Sequence, residues 1–182
     1  MKYTIAIDNG VTGSICIMDE QGQILVYAPT PVFRSLNYTK AVGYSSRVDS
    51  QRLIGLLKPY GKNCTVLLER PMVNPQRWAA SVSAIRCDEA TRSIIELLGL
   101  KLIYVDSKEW QTPMLPTRPA IPKAKKDATP AEKKALKAKR AAFTLETKAL
   151  SLAAGQRLFP GVEFKKDADA ALLAEWGRRE KL

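Results

Sequence analysis

The amino-acid sequence predicts an α/β fold, a five-stranded mixed sheet flanked by helices. Three observations predict it. The chain opens with three short β-rich runs separated by tight turns. The nearly unbroken apolar run Cys64-Thr65-Val66-Leu67-Leu68-Glu69 is too short for a helix and suits a buried central strand. Helical periodicity occupies the chain on both sides of that run.

Residues 3–8 alternate and are rich in β-formers, so they read as the first strand. Residues 14–19 form the second. Residues 23–27 form the third, after the turn Asp19-Glu20-Gln21-Gly22. Spacings this short imply antiparallel hairpins. Residues 29–47 are polar and read as irregular. Asp49 or Ser50 can cap a helix that carries Leu53, Ile54, Leu56 and Leu57 and ends near Gly61. The run at 64–69 is the fourth strand, and residues 71–76 are a loop. Residues 78–98 hold the longest helical pattern, with Val82, Ile85, Ile94, Leu97 and Leu98 on one broad face and Gly99 as its stop. Residues 101–105 are the fifth strand. Asp106 or Ser107 then caps a short helix through Trp110.

The composition changes at Pro113. Between residues 117 and 140, nine Lys and Arg stand against Asp127 and Glu132, and Pro119, Pro122 and Pro130, with Pro116 just before, punctuate the stretch. With almost nothing large and apolar it forms no core, so it reads as a mobile loop that orders on binding. Its second half, after Pro130, is rich in Ala and Lys and compatible with a helix. Residues 144–158 are helical again. Residues 167–179 form a last helix, whose Ala168, Ala170, Ala171 and Ala174 give a narrow face for close packing on a sheet. The chain thus reads as one domain over 1–182 with a basic insertion at 113–142.

Composition narrows the function. Of the 182 residues, 46% are apolar, enough for a core, and no apolar run reaches the ~18–20 residues of a membrane span. Met1-Lys2-Tyr3-Thr4 passes straight into a strand pattern without a leader-like segment, so a soluble intracellular protein is expected. Cys16, Cys64 and Cys87 lie far apart among apolar neighbours and read as buried structural thiols. The chain has no histidine, which removes Ser-His and Cys-His nucleophiles and Cys-His zinc sites. Hydrolytic chemistry here must run on carboxylates, on lysine, or on a metal held by carboxylates. The net charge of +11 points to a polyanionic partner. The basic stretch supplies +7 of it, which favours a nucleic-acid contact there, with Lys123, Lys125 and Lys126 in that role.

Four acids stand out. Asp8 closes the first strand and Glu69 the fourth. Adjacent strands lie about 4.8 Å apart, so side chains at neighbouring strand ends can touch. Asp167 and Asp169 open the last helix, whose N-terminus tolerates acids. Acids that end apolar segments are costly unless neutralised, and a divalent cation neutralises them. Oxygen ligands without His or Cys select Mg²⁺ or Mn²⁺ over Zn²⁺.

These residues resemble a known family. Ile5-Ala6-Ile7-Asp8-Asn9-Gly10-Val11-Thr12-Gly13-Ser14 resembles the first motif of RuvC-type Holliday junction resolvases, and Leu67-Leu68-Glu69-Arg70-Pro71 the second. Asp106-Ser107-Lys108-Glu109-Trp110-Gln111 resembles a segment common in phage-type members. Thr147-Lys148-Ala149 with Arg157-Leu158-Phe159-Pro160 looks like the late Lys-bearing helix, and residues 167–179 resemble the closing acidic helix. Together, and in order, these segments cover nearly the whole chain except the basic stretch.

The resemblance implies an RNase H-like fold and a metal-dependent endonuclease that resolves four-way and other branched DNA. Paired symmetric nicks by two-metal phosphodiester hydrolysis would leave 5′-phosphate and 3′-hydroxyl ends. It implies Asp8, Glu69 and Asp169 as metal ligands with Asp167 as the fourth acid, Mg²⁺ as the cofactor with Mn²⁺ as a substitute, and Lys148 at the scissile phosphate. It implies that the loop after Glu69 touches the junction, through Met72, Arg77 or Trp78. Two symmetric cuts imply a two-fold dimer, with residues 78–98 as the expected interface. The setting implied is the cytoplasm of a bacterial or phage-infected cell. One motif departs from the pattern. Family members place the last two acids three residues apart, on one helical face, whereas Asp167 and Asp169 are two apart and Lys166 takes the expected position.

Two other classes share part of this pattern. An ATP-binding domain of the actin and sugar-kinase type has a similar first hairpin, but needs two such domains and has no use for a Lys-rich stretch. A catalytically silent binder of branched nucleic acid would keep the charge and lose the cut.

Overall fold

The computed structural model describes residues 2–37, 43–117, 119, 121 and 129–182. Lys123, Lys125 and Lys126 lie outside the described residues. Strands β1 (Tyr3–Ile7), β2 (Ser14–Asp19), β3 (Ile24–Pro29), β6 (Cys64–Glu69) and β7 (Lys101–Val105) form one sheet in the order β3-β2-β1-β6-β7. β1 and β2, like β2 and β3, pair antiparallel, while β6 runs parallel to both β1 and β7. This is the mixed five-stranded sheet that the sequence predicts. Helices α1 (Ser50–Leu57) and α2 (Trp78–Leu97) cover one face. Helices α3 (Ser107–Met114), α4 (Pro130–Leu158) and α5 (Asp169–Arg179) cover the other.

Strand alternation divides the core. Ile5, Ile7, Ile15, Ile17, Val66 and Leu68 point toward α1 and α2, with Leu53, Leu57, Ile94 and Ile95 opposite them. Ala6, Cys16, Met18 and Leu67 point toward α5, which returns Ala170, Ala171, Leu172 and Ala174. Cys16, Cys64 and Cys87 are all free and buried. Among the described residues no helix is long and apolar enough to cross a membrane.

Several expectations are corrected. The stretch 29–47 is not irregular throughout. β4 (Val32–Leu36) and β5 (Tyr44–Val48) make a separate antiparallel pair. Its polar residues fit strands because the pair is exposed on most of its surface, where no apolar alternation is required. On α2 the buried stripe is Ser81, Cys87, Thr91, Ile94 and Ile95, whereas Ile85 and Leu97 are exposed. Counting apolar residues misplaced that face, because small polar residues also pack inward. Residues 144–158 are not a separate helix: α4 runs unbroken from Pro130, and Thr129 with Glu132 forms a capping box at its start. The last helix begins at Asp169, not at Asp167.

Candidate metal centre

The strand parities place two acids. Ile7 pairs with Leu68, so Asp8 and Glu69 follow as neighbours at the same end of the sheet. Asp8 continues the alternation of Ala6, and Glu69 that of Leu67, so both acids belong to the α4–α5 face. The turn after Asp8 folds tightly back on itself. A side-chain carbon at Gly13 would lie 2.0 Å from the Asp8 carbonyl oxygen, so this position admits only glycine.

The other two acids arrive from the far end of the chain. Asp167 precedes α5 in non-helical backbone, Ala168 is the N-cap, and Asp169 is the first helical residue. The two-residue spacing therefore does not separate the carboxylates as it would within a helix. Asp8, Asp167 and Asp169 each offer an oxygen within 4.8 Å of the others, a spacing able to hold a metal ion. Tyr27 fixes the approach by donating its hydroxyl to the Asp167 carbonyl at 2.7 Å.

Helix α4 supplies the support. Gly155 lets it press against the loop before α5, where a side-chain carbon would lie 2.2 Å from the Ala168 methyl. One turn earlier the fully buried Ser151 donates its hydroxyl to Asp169 Oδ1 and accepts the Ala168 N–H at 3.1 Å. Lys148, three residues before that, donates Nζ to Asp167 Oδ2 at 2.9 Å. On the other flank Trp110 of α3, wholly buried, donates its indole N–H to Glu69 Oε2 at 3.2 Å.

The electrostatics follow from four acids crowded where water is scarce. Burial, then the charges of Glu69, Asp169 and Asp167, hold the Asp8 carboxyl well above the ordinary carboxylate range, and Lys148 opposes them only in part. Glu69 is pushed up to about 7 by burial first and Asp169 next, against the Trp110 hydrogen bond. Burial also raises Asp169, with the Ser151 bond pulling the other way. Burial works to lower Lys148, but the bond and charge of Asp167, with Asp169 and Asp8, outweigh it and leave it raised. Buried carboxylates whose ionisation is opposed by burial first and by their neighbours' charges next are what a hard divalent cation relieves. The donor set thus fits such an ion.

Of the sequence-predicted residues, Asp8, Asp167 and Asp169 come together, Lys148 bonds Asp167, and Glu69 stands outside that group of three but near enough to raise Asp8. Met72, exposed at 80%, and Arg77, exposed too, lie in the segment that leaves the Glu69 end of β6, and Trp78, exposed at 73%, opens α2. Asn74 braces this loop by taking part in two 2.9 Å hydrogen bonds with Ser81 Oγ. Sequence reasoning missed Ser151, Tyr27 and the role of Trp110. Ser151 lies three residues after Lys148, hence on the same helical face, and that spacing was the available signal. Nothing in the local sequence marks Tyr27.

The fold has counterparts among solved structures. The chain is similar to T. thermophilus RuvC in complex with a Holliday junction substrate, at 10% identity over 99% of this chain and 96% of that chain, with a TM-score of 0.57. A second T. thermophilus RuvC structure matches at 10% identity over 98% and 96%, with a TM-score of 0.47. The yeast mitochondrial Holliday junction resolvase matches at 15% identity over 98% and 78%, with a TM-score of 0.42. No protein-family model and no curated protein sequence matches the chain. The protein has the RNase H-like fold in the form taken by RuvC.

Proposed function

We propose that the protein is a Mg²⁺-dependent, structure-selective endonuclease that resolves Holliday junctions and other branched DNA by paired symmetric nicks. The observation that carries this reading is the cluster of Asp8, Asp167 and Asp169 oxygens within 4.8 Å, with Glu69 and Lys148 at its edge. Asp8, Glu69, Asp167 and Asp169 would hold the metal. When bound, Mg²⁺ or Mn²⁺ would supply charge neutralisation at the phosphate and activation of the attacking water. Lys148 keeps its proton, because the acids raise its pKa, and so offers a cation to the scissile phosphate. Trp110 and Ser151 fix one oxygen each of Glu69 and Asp169, which leaves the remaining oxygens oriented.

Met72, Arg77 and Trp78 are suited to the branch point, because they are exposed in the segment that follows Glu69 and include two large apolar side chains. Lys123, Lys125 and Lys126 are assigned to phosphate contact on their charge. Two cuts related by symmetry need two copies. We assign the outward face of α2 beyond Trp78, where Ile85 stands exposed, to a two-fold homodimer. The setting proposed is the cytoplasm of a bacterial or phage-infected cell.

The test is cleavage of a labelled immobile four-way junction with Mg²⁺ and with EDTA, beside linear duplex of the same sequence. Paired nicks that need Mg²⁺ and spare the duplex are expected. Tight binding without a cut under any divalent ion would replace the nuclease by a silent binder.

A further inference from the structure

Helix α4 is 29 residues long, yet only its second half packs on the body. Ser151, Ala154 and Gly155 are buried there. From Pro130 to Ala142 every residue except Leu136 is exposed. The first half therefore stands clear of the core, capped by Thr129 and Glu132.

The charges on that half are ordered. Successive helical residues turn by about 100°, so Lys133, Lys137, Arg140, Lys148 and Ser151 fall within an arc of about 80°. The stripe that touches Asp167 and Asp169 through Lys148 and Ser151 thus continues outward as a row of cations. The acids of the helix, Glu132 and Glu146, fall on the opposite side, as does Lys139, about 140° from the middle of the stripe. From Lys148 to Lys133 the row spans about 22 Å, which is about seven base pairs of duplex. The row carries no aromatic residue, and single-strand tracks depend on aromatic stacking.

We infer that this stripe of α4 is a track for the phosphates of one duplex arm, running away from the acid cluster. Lys133, Lys137 and Arg140 bind backbone phosphates of the arm that carries the scissile linkage. They set the direction in which that arm leaves the site. The inference rests on the nuclease reading for the position of the cut, but its test does not.

Binding of the full chain to an immobile four-way junction, measured by fluorescence anisotropy in Ca²⁺ across a salt series, reads the number of phosphate contacts. Each lost contact lowers the slope of log affinity against log salt by about 0.9. Lys137→Ala is expected to lower the slope by nearly one contact, and Lys139→Ala to leave it unchanged, although both remove one charge from the same helix. The triple change of Lys133, Lys137 and Arg140 to Ala is expected to lose two to three contacts' worth of slope and about tenfold or more in affinity at moderate salt. Alanine favours helix, so circular dichroism should show α4 intact in every variant. Equal losses from Lys137→Ala and Lys139→Ala would overturn the track in favour of a diffuse basic cloud. Unchanged slopes in all variants would remove DNA from this face altogether. A wild-type protein that binds junctions but never cuts would defeat the nuclease reading and leave the slope comparison standing.

Discussion

On the α1–α2 side of the sheet the strands present Ile5, Ile7, Ile15, Ile17, Val66 and Leu68, whereas on the α4–α5 side they present Ala6, Cys16, Met18 and Leu67. The first face is built from large branched side chains and holds its helices at a distance. The second is met by a helix of small residues, where Gly177 lies so near Leu67 that a side-chain carbon would come within 2.1 Å of it. Close approach on that side is what lets the start of α5 reach the ends of β1 and β6. The two faces share strands and a hydrophobic origin, yet only the thin-packed one can carry the carboxylate cluster.

The sharpest way to break this contrast is one substitution on each face. Asp8→Asn should reduce junction cleavage by about a thousandfold, the size expected when charge stabilisation of the transition state is lost, and should keep junction binding. Leu53→Ala in the opposite core should cost about 2–5 kcal/mol of stability in chemical denaturation and leave the cleavage rate per folded molecule unchanged. Cleavage by Asp8→Asn at the wild-type rate would move the chemistry elsewhere.

A smaller effect is expected at Trp110. Trp110→Phe removes the only donor that the indole offers Glu69 while keeping most of the buried volume. The Mg²⁺ concentration for half-maximal cleavage should rise by about tenfold or more, with junction affinity in Ca²⁺ little changed. An unaltered Mg²⁺ requirement would make this tryptophan a packing residue.

The acid face should also be pH-sensitive where the other is not. Asp8, Glu69 and Asp169 have folded pKa values above their ordinary ones. The folded protein therefore binds more protons than the unfolded chain, and stability falls with rising pH. For Glu69 that loss runs from the ordinary carboxylate range through about 7. Without divalent ions Tm should drop by a few degrees, on the order of 2–4 °C per kcal/mol, as pH rises across this window. Mg²⁺ should restore it at the upper end, and Asp8→Asn should flatten the profile.

The smallest effects compare two glycines. Gly155→Ala must displace the Ala168 methyl, so overpacking should outweigh the helix gain of about 1 kcal/mol and give a net loss. Gly55→Ala in α1 meets nothing within 4 Å and should stabilise by up to about 1 kcal/mol. Midpoints shifted in opposite directions would bear out that α4 meets the loop before α5 too closely for a methyl, a constraint absent at solvent-facing Gly55.

Much of the site was legible because it depends on local pattern. The apolar runs that end in Asp8 and Glu69 specify strands, and their period of two assigns each acid to a face. The alanines of α5 and the Lys-rich first half of α4 are visible as composition. Tyr27 was not legible, since it acts on Asp167 far along the chain, and Ser151 was marked only by its spacing from Lys148, because its partners Ala168 and Asp169 lie 17 or more positions away. The β4–β5 pair was hidden because exposed strands need no apolar alternation.

The sequence by itself determined the five strands of the main sheet, most of the helices, the all-oxygen chemistry imposed by the absence of histidine, and the basic charge of the stretch before Lys148. Tertiary structure alone decided that Asp167 and Asp169 converge despite their two-residue spacing, because the helix starts between them and their directions are set by contacts with α4 and Tyr27. It also decided that the cations of α4 align with Lys148. One continuous helix carries a single angular register from the packed half into the exposed half, and no local reading of a loop followed by a helix contains that register.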